Sequence, residues 1–257
     1  MIRHTVVAAH GWRRGPAGRV RPGLVAFLHQ VALVAGAMLA YFGIRNLTVG
    51  SAADAFANAK RLLEFEQALN MAWEEAGQAA VVGSDVAVML LNWVYIWGHW
   101  PVILTSAVAL YLLRRHDYYV LRDALFISGA VGFVLFALLP VAPPRMLDAG
   151  FVDTVTEQSN AYRALQPPGL TNQYAAFPSL HLGWNLLLGV VLYHATRRLL
   201  VRLFAVGSPL AMAAAVVLTA NHFIIDVVAG AVLVLIALWV SRRLHPAPDQ
   251  GASPQLP

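Results

Sequence analysis

Cysteine is absent from the 257-residue chain, which excludes disulfides and any metal held by thiolates. Charge is scarce too: Asp, Glu, Lys and Arg supply 12% of the residues, about half of what a soluble domain carries. An H-E-x-x-H zinc signature, internal repeats and a second domain are all missing. What remains is apolar. Hydrophobic residues make up 59% of the chain and mean hydropathy is +0.62, more than one globular core can bury. A membrane is the natural solvent for the surplus.

About 20 apolar residues in a helix cross the hydrocarbon, and the uncharged runs predict six spans: 24–43, 86–113, 124–141, 177–196, 203–220 and 223–240. The expected fold is therefore an all-α polytopic membrane protein, six transmembrane helices with an outer amphipathic helical segment. A basic N-terminal segment (1–23) precedes the membrane domain (24–243). The tail (244–257) is rich in Pro, Gly and Ser and is expected to be disordered. The "GSP" at 207–209 is expected to bend the fifth span. The N-terminus has some features of a signal peptide, including the small-residue patch "VGSAAD". It is read as a retained helix, because its apolar stretch is long and its removal leaves an odd number of spans.

The formal net charge of +5 could suggest a nucleic-acid partner, but its distribution argues otherwise. Arg3, Arg13, Arg14, Arg19, Arg21, Arg114, Arg115, Arg122, Arg197, Arg198, Arg202, Arg242 and Arg243 fall in one set of segments. Only Arg45, Lys60, Arg61, Arg145 and Arg163 fall in the other. This bias places both termini in the cytoplasm and implies a multi-pass cell-membrane protein with membrane lipids, not nucleic acid, as partners. The outer segments hold carboxylates instead, among them Asp54, Glu64, Glu66, Glu74, Glu75, Asp148, Asp153 and Glu157.

Two outer segments are informative. In 45–85, Ala59, Leu62, Leu63, Phe65, Leu69 and Trp73 recur at helical spacing as one stripe, with Lys60, Glu64, Glu66 and Glu75 off it. One or two amphipathic helices are expected there, either a surface-lying connector or a roof over a cavity. Segment 142–176 is broken by prolines and glycines and leads into "FPSLH", so the fourth span is predicted to start near Pro178, which suits a first helical turn.

With this topology the costly polar residues converge. Arg145 follows the third span, Ser179 and His181 open the fourth, and His222 and Asp226 open the sixth, all at one membrane depth. His222 and Asp226, four apart, share a helix face. Phosphoryl transfer through histidine needs such a set: a neutral imidazole to attack phosphorus, a carboxylate to orient it, a second imidazole to protonate the departing oxygen, and cationic or N–H donors for the phosphoryl oxygens. Ionisable groups near a membrane core are by default functional. A second patch, "NWVYIWGHW" at 92–100, sets Asn92, Tyr95 and His99 on one face and Trp93, Trp97 and Trp100 on another. Interhelical packing and substrate lining are both open for it.

"FPSLH" followed by "HFIID" resembles the motifs of the type 2 phosphatidic acid phosphatase superfamily. More narrowly, "APPR", "AAFPSLHLGW" and "NHFIIDVVAG" resemble the inositol phosphorylceramide synthase branch, to which the sphingomyelin synthases are further relatives. The resemblance implies His222 as nucleophile, Asp226 as its orienting carboxylate, His181 as general acid and base, and Ser179 as a phosphate contact. It departs from the lipid-phosphatase pattern at Leu180, where those members carry Gly, and at Ala215 and Val216, where they carry a Ser-Arg pair. Phosphate clamping falls by default to Arg145, with Arg45 and Arg163 in reserve, and Asn221 is either an oxyanion donor or a helix cap.

The expected function is a lipid phosphatase or phosphotransferase, inositolphosphotransferase-like, acting on a lipid phosphate ester or diester through a phosphohistidine. The acceptor is water or a hydroxyl compound, with no cofactor and no metal. Two rival readings are a non-enzymatic lipid transporter or scaffold that keeps the fold, and a metal-dependent hydrolase using the same two histidines and aspartate.

Overall fold

A computed structural model describes residues 13–14, 20–21, 23–47, 51–158 and 172–246. The tail from 247 onward and Arg163 lie outside the described residues, as does the side chain of Arg45. The chain forms two compact units, 1–44 and 45–257. The first holds a two-residue antiparallel ladder, β1 (Arg13–Arg14) with β2 (Val20–Arg21), and most of helix α1 (Leu24–Leu47). Leu24, Val25 and Leu39 of α1 are exposed, as an apolar helix solvated by lipid would have them.

Among the described residues every regular element of the second unit is helical: α2 (Ala52–Ala68), α3 (Glu74–Val82), α4 (Asp85–Trp97), α5 (Trp100–Leu113), α6 (Arg115–Leu138), a 3-10 turn (Pro144–Met146), α7 (Thr154–Gln158), α8 (Leu180–Ala195), α9 (Leu199–Leu218) and α10 (Ile224–Leu244). Serines mark several starts. Ser51, Ser84 and Ser179 each accept a bond from an amide three residues on, satisfying a donor the helix leaves unpaired.

Among the described residues three helices, α6, α9 and α10, are long and apolar enough to cross a membrane. The run 86–113 is not one straight helix. It breaks into α4 and α5, bent by 45°, and makes a fourth span if the pair counts as one. Pro101, in the first turn of α5, cannot donate the hydrogen bond a continuous helix would need. Helix α6 begins at Arg115 rather than near 124, because the charged stretch before the apolar run continues the same helix. Pro209 lies inside α9 without ending it.

The fourth expected span is α8, which starts one residue after Ser179. Pro178 therefore precedes the cap instead of occupying the first turn. Its 16 residues rise about 24 Å, and 11 of them are buried. Helices α6, α9 and α10 pack around it, and Trp184 Nε1 donates to Ser128 Oγ of α6 at 3.1 Å. The exposed apolar surface lies on those flanking helices, at residues such as Leu138, Leu210 and Trp239.

Helix α2 lies across the end of the bundle where α8 and α10 begin. Ala55 and Ala59 pack with Val141, Ala142, Leu147, Ala176 and Phe223. Ala142 N donates to Ala55 O at 3.1 Å, and Asn58 Nδ2 donates to Pro140 O at 2.9 Å. The buried face thus runs through Ala55, Ala59 and Glu66, whereas Phe65, Leu69 and Trp73 are exposed. Part of the expected stripe holds, since Ala59 is buried and Leu62 and Leu63 pack against the same cluster, but Phe65, Leu69 and Trp73 depart from it and face outward.

Candidate active site

Ser179, His181, Asn221, His222 and Asp226 meet where α8 starts and α9 hands over to α10. The chain leaves α9 through Ala220, whose φ of 52° is a left-handed conformation uncommon outside glycine. The carbonyl of Ala220 accepts from the Arg145 amide at 2.9 Å, which ties the 3-10 turn to this corner. The amide of Ser179 donates to Asp226 O at 2.9 Å, and a Cβ on Gly230 would meet Ser179 O at 2.2 Å. Only glycine lets α10 approach the cap of α8 this closely.

His222 is 4% exposed. Its Nδ1 lies 2.8 Å from Ala176 O and 3.4 Å from Asp226 Oδ2. Both neighbours are acceptors, so Nδ1 carries the proton and Nε2 keeps its lone pair. Asp226 also caps α10 from within its own first turn, where Oδ2 accepts from Phe223 N at 2.9 Å. The ring of His181 lies 6.0 Å from that of His222, against Tyr95 at 4.5 Å and His99 at 4.3 Å. The break between α4 and α5 brings His99 here, with its ring parallel to Trp184 at 5.6 Å. Asn185 Nδ2 donates to His181 O at 3.0 Å, and Ser208 Oγ donates to Asn185 Oδ1 at 2.9 Å, so the residues behind His181 are hydrogen-bonded in series. Of the 92–100 patch, Tyr95 and His99 therefore belong to the site. Asn92 Nδ2 donates to Thr154 O at 3.1 Å, and Trp93 and Trp97 are exposed.

Arg145 is largely buried, with Nη1 donating to Asn221 Oδ1 at 2.5 Å and Nε 3.3 Å from Asp153 Oδ2. Asn221 Nδ2 in turn donates to Thr219 Oγ1 at 2.6 Å. Asn221 thus orients Arg145 and does not cap α10, whose N-cap is Phe223. Among the described residues no group of three or more His, Cys, Asp or Glu side chains is arranged to hold a metal ion.

A family model described as the PAP2 superfamily matches residues 60–240. The chain belongs to the PAP2 superfamily. The match begins within α2 and runs almost to the end of α10, so it includes every residue of the site just described. No curated protein and no solved structure matches the chain. PAP2 membership, with several apolar helices long enough to cross a bilayer, points to a membrane phosphoesterase of the phosphatase type that acts on lipids.

Sequence reasoning gave Glu66 and Glu74 no part in the site and counted them only among the carboxylates of the expected outer segments. Both are buried, at 0% and 1% exposure. Glu66 Oε1 accepts from Ile225 N and Glu74 Oε1 from Ile224 N, each at 2.7 Å. Burial is the largest influence on Glu66 and raises its pKa from 4.5 to about 8. A hydrogen bond to Glu74 and the charges of Glu74 and Asp226 push the same way, against the bond from Ile225. Carboxylates in a charged helical segment give no sequence signal of such burial.

Proposed function

We propose that the protein is an integral-membrane lipid phosphatase or phosphotransferase that works through a phosphohistidine on His222. Nε2 of His222 attacks phosphorus. The P–N bond forms as the P–O bond to the leaving alcohol breaks, and protonated His181 gives its proton to the departing oxygen. Neutral His181 then takes a proton from water or a hydroxyl acceptor, whose oxygen attacks phosphorus. The P–N bond breaks, and its electron pair returns to Nε2. Asp226 stabilises the positive imidazole ring of the intermediate, and Arg145, aimed by Asn221 and Asp153, balances charge on the phosphoryl oxygens. Ser179, whose oxygen takes the Leu182 amide at 3.4 Å, keeps its hydroxyl proton for the phosphate.

The observation that carries this reading is the pairing of His222, fixed at Nδ1 by a carbonyl, with a second imidazole 6.0 Å away. The motifs "APPR", "AAFPSLHLGW" and "NHFIIDVVAG" favour an inositolphosphotransferase-like acceptor chemistry over simple hydrolysis. The arginine bias favours six spans, cytoplasmic termini and a site on the outer face.

The test is a survey of purified protein with labelled phosphatidic acid and phosphatidylinositol, with and without inositol or diacylglycerol, alongside His222→Ala. Release of inorganic phosphate alone identifies a phosphatase; a new phosphodiester that requires the acceptor identifies a transferase. In either case label should be trapped on the wild-type chain and not on His222→Ala. A folded His222→Ala protein that turns over at the wild-type rate overturns the mechanism.

A further inference from the structure

Phosphoryl transfer through His222 does not itself require Glu66 or Glu74, yet both are withdrawn from water at the edge of the site. A helix start is ordinarily served by one capping side chain. Here three successive amides, those of Phe223, Ile224 and Ile225, are taken by three carboxyls from three different helices: Asp226 of α10, Glu74 of α3 and Glu66 of α2. The residue just before these amides is His222.

The positive end of the α10 dipole favours negative charge here, but too weakly to gather three buried, ionised carboxyls. Glu66 Oε2 and Glu74 Oε2 are both buried, and neither has a donor among the described residues while both groups are ionised. A proton on Glu66 removes one charge and supplies the donor for a bond to Glu74. The charged groups that act on Glu66 are Glu74 from α3 and Asp226 from α10. Phe223 and Ile225 also pack in the cluster formed with Ala55 and Ala59, so α2 grips this turn by side-chain contact as well.

We infer that Glu66 and Glu74 are positioning residues for His222: a two-point clamp by which α2 and α3 hold the first turn of α10 and fix the placement of the imidazole against Ala176 O. The outer segment is then a working part of the site and not a connector. A shift of about 1 Å in a reacting group can cost on the order of 100-fold in rate, so a clamp on the neighbouring turn has a large effect without touching substrate. The consequence for turnover rests on the reading of His222 as phosphoryl acceptor; the clamp itself does not.

The experiment compares wild-type protein with Glu66→Gln, Glu66→Ala, Glu74→Gln and Glu74→Ala in lipid nanodiscs, by three readouts. Amide exchange at residues 224 and 225 reports the clamp. The ¹⁵N spectrum of labelled histidine reports the His222 Nδ1–H bond. The initial rate on labelled phosphatidic acid, as kcat and KM separately, reports the consequence. The alanine variants are expected to speed exchange at these two amides, to disturb the His222 signal and to lower kcat about 10- to 100-fold with little change in KM. Glutamine keeps an acceptor for each amide, so Glu66→Gln should restore all three and remove the alkaline fall in kcat tied to the Glu66 proton.

Unchanged exchange in the alanine variants overturns the clamp. Faster exchange with an undisturbed His222 signal overturns the positioning role. If the alanine variants do not fold, Glu66→Gln decides: loss of the alkaline fall in kcat supports the inference, and a profile superimposable on the wild type overturns it. Full activity of His222→Ala would refute the phosphohistidine reading and leave the exchange and ¹⁵N readouts to judge the clamp alone.

Discussion

The amide of Ser179 donates a 2.9 Å hydrogen bond to the carbonyl of Asp226, tying the cap of α8 to the first turn of α10 through backbone alone. The separation of His181 from His222 is thereby set by main chain and does not rely on the two side chains finding each other.

Gly230 is the position on which this tie depends. Replacing it with alanine sets a Cβ at 2.2 Å from Ser179 O, a contact that must push the helices apart. Gly230→Ala is expected to lower thermal stability by about 1–3 kcal/mol and to cut kcat severely. A calorimetric scan with the lipid assay checks both. Wild-type stability and rate in that variant would show that the close approach is unimportant.

Asp226 has two duties that substitution can separate. Asp226→Asn keeps an oxygen for the Phe223 amide and loses the charge beside His222, so folding should persist while the rate falls about 10- to 100-fold. Asp226→Ala loses the cap as well and should cost a further ~1 kcal/mol in stability. Equal stability of the two variants in denaturant titration would contradict the capping duty.

Asn221 is expected to matter through Arg145. Asn221→Ala removes the oxygen that holds Nη1 of the guanidinium and should weaken the rate about 10-fold. Arg145→Gln should be worse, and the double variant no worse than Arg145→Gln alone. Additive losses in this cycle would mean that Asn221 acts independently.

The pH response of segment 45–85 is expected to follow from Glu66, whose pKa is raised from 4.5 to about 8, chiefly by burial. The docked state then holds one proton more than the undocked state between those values. Docking is strongest at and below 4.5 and weakens as pH rises toward 8. Limited proteolysis within 45–85, compared between mildly acidic and alkaline buffer with a pH-insensitive protease, should show faster cleavage at the alkaline end, and Glu66→Gln should flatten the difference.

The residues at the centre of the site were legible in the sequence because they violate their surroundings: His181, His222 and Asp226 stand in apolar runs where each needs a reason. Arg145 was legible by position alone. Glu66 and Glu74 were not, since a carboxylate that caps another helix has the same spacing as one that faces water. Ala176 contributes a carbonyl, which every residue has and no sequence marks. The exposed Phe65, Leu69 and Trp73 were misplaced for a related reason: periodicity finds an apolar face but cannot say whether protein or lipid covers it. Pro101 did mark the break in the second span, and reading the run by length alone hid it.

Exposed Phe65 is joined by one peptide bond to buried Glu66, and exposed Trp73 by one peptide bond to buried Glu74. Exposed apolar side chains and side chains hydrogen-bonded to the turn after His222 are thus neighbours along the chain. A lipid or detergent shell that touches Phe65 or Trp73 acts one residue away from a carboxyl bonded to the turn after His222. The choice of amphiphile used to extract this protein is therefore a chemical variable of the candidate site.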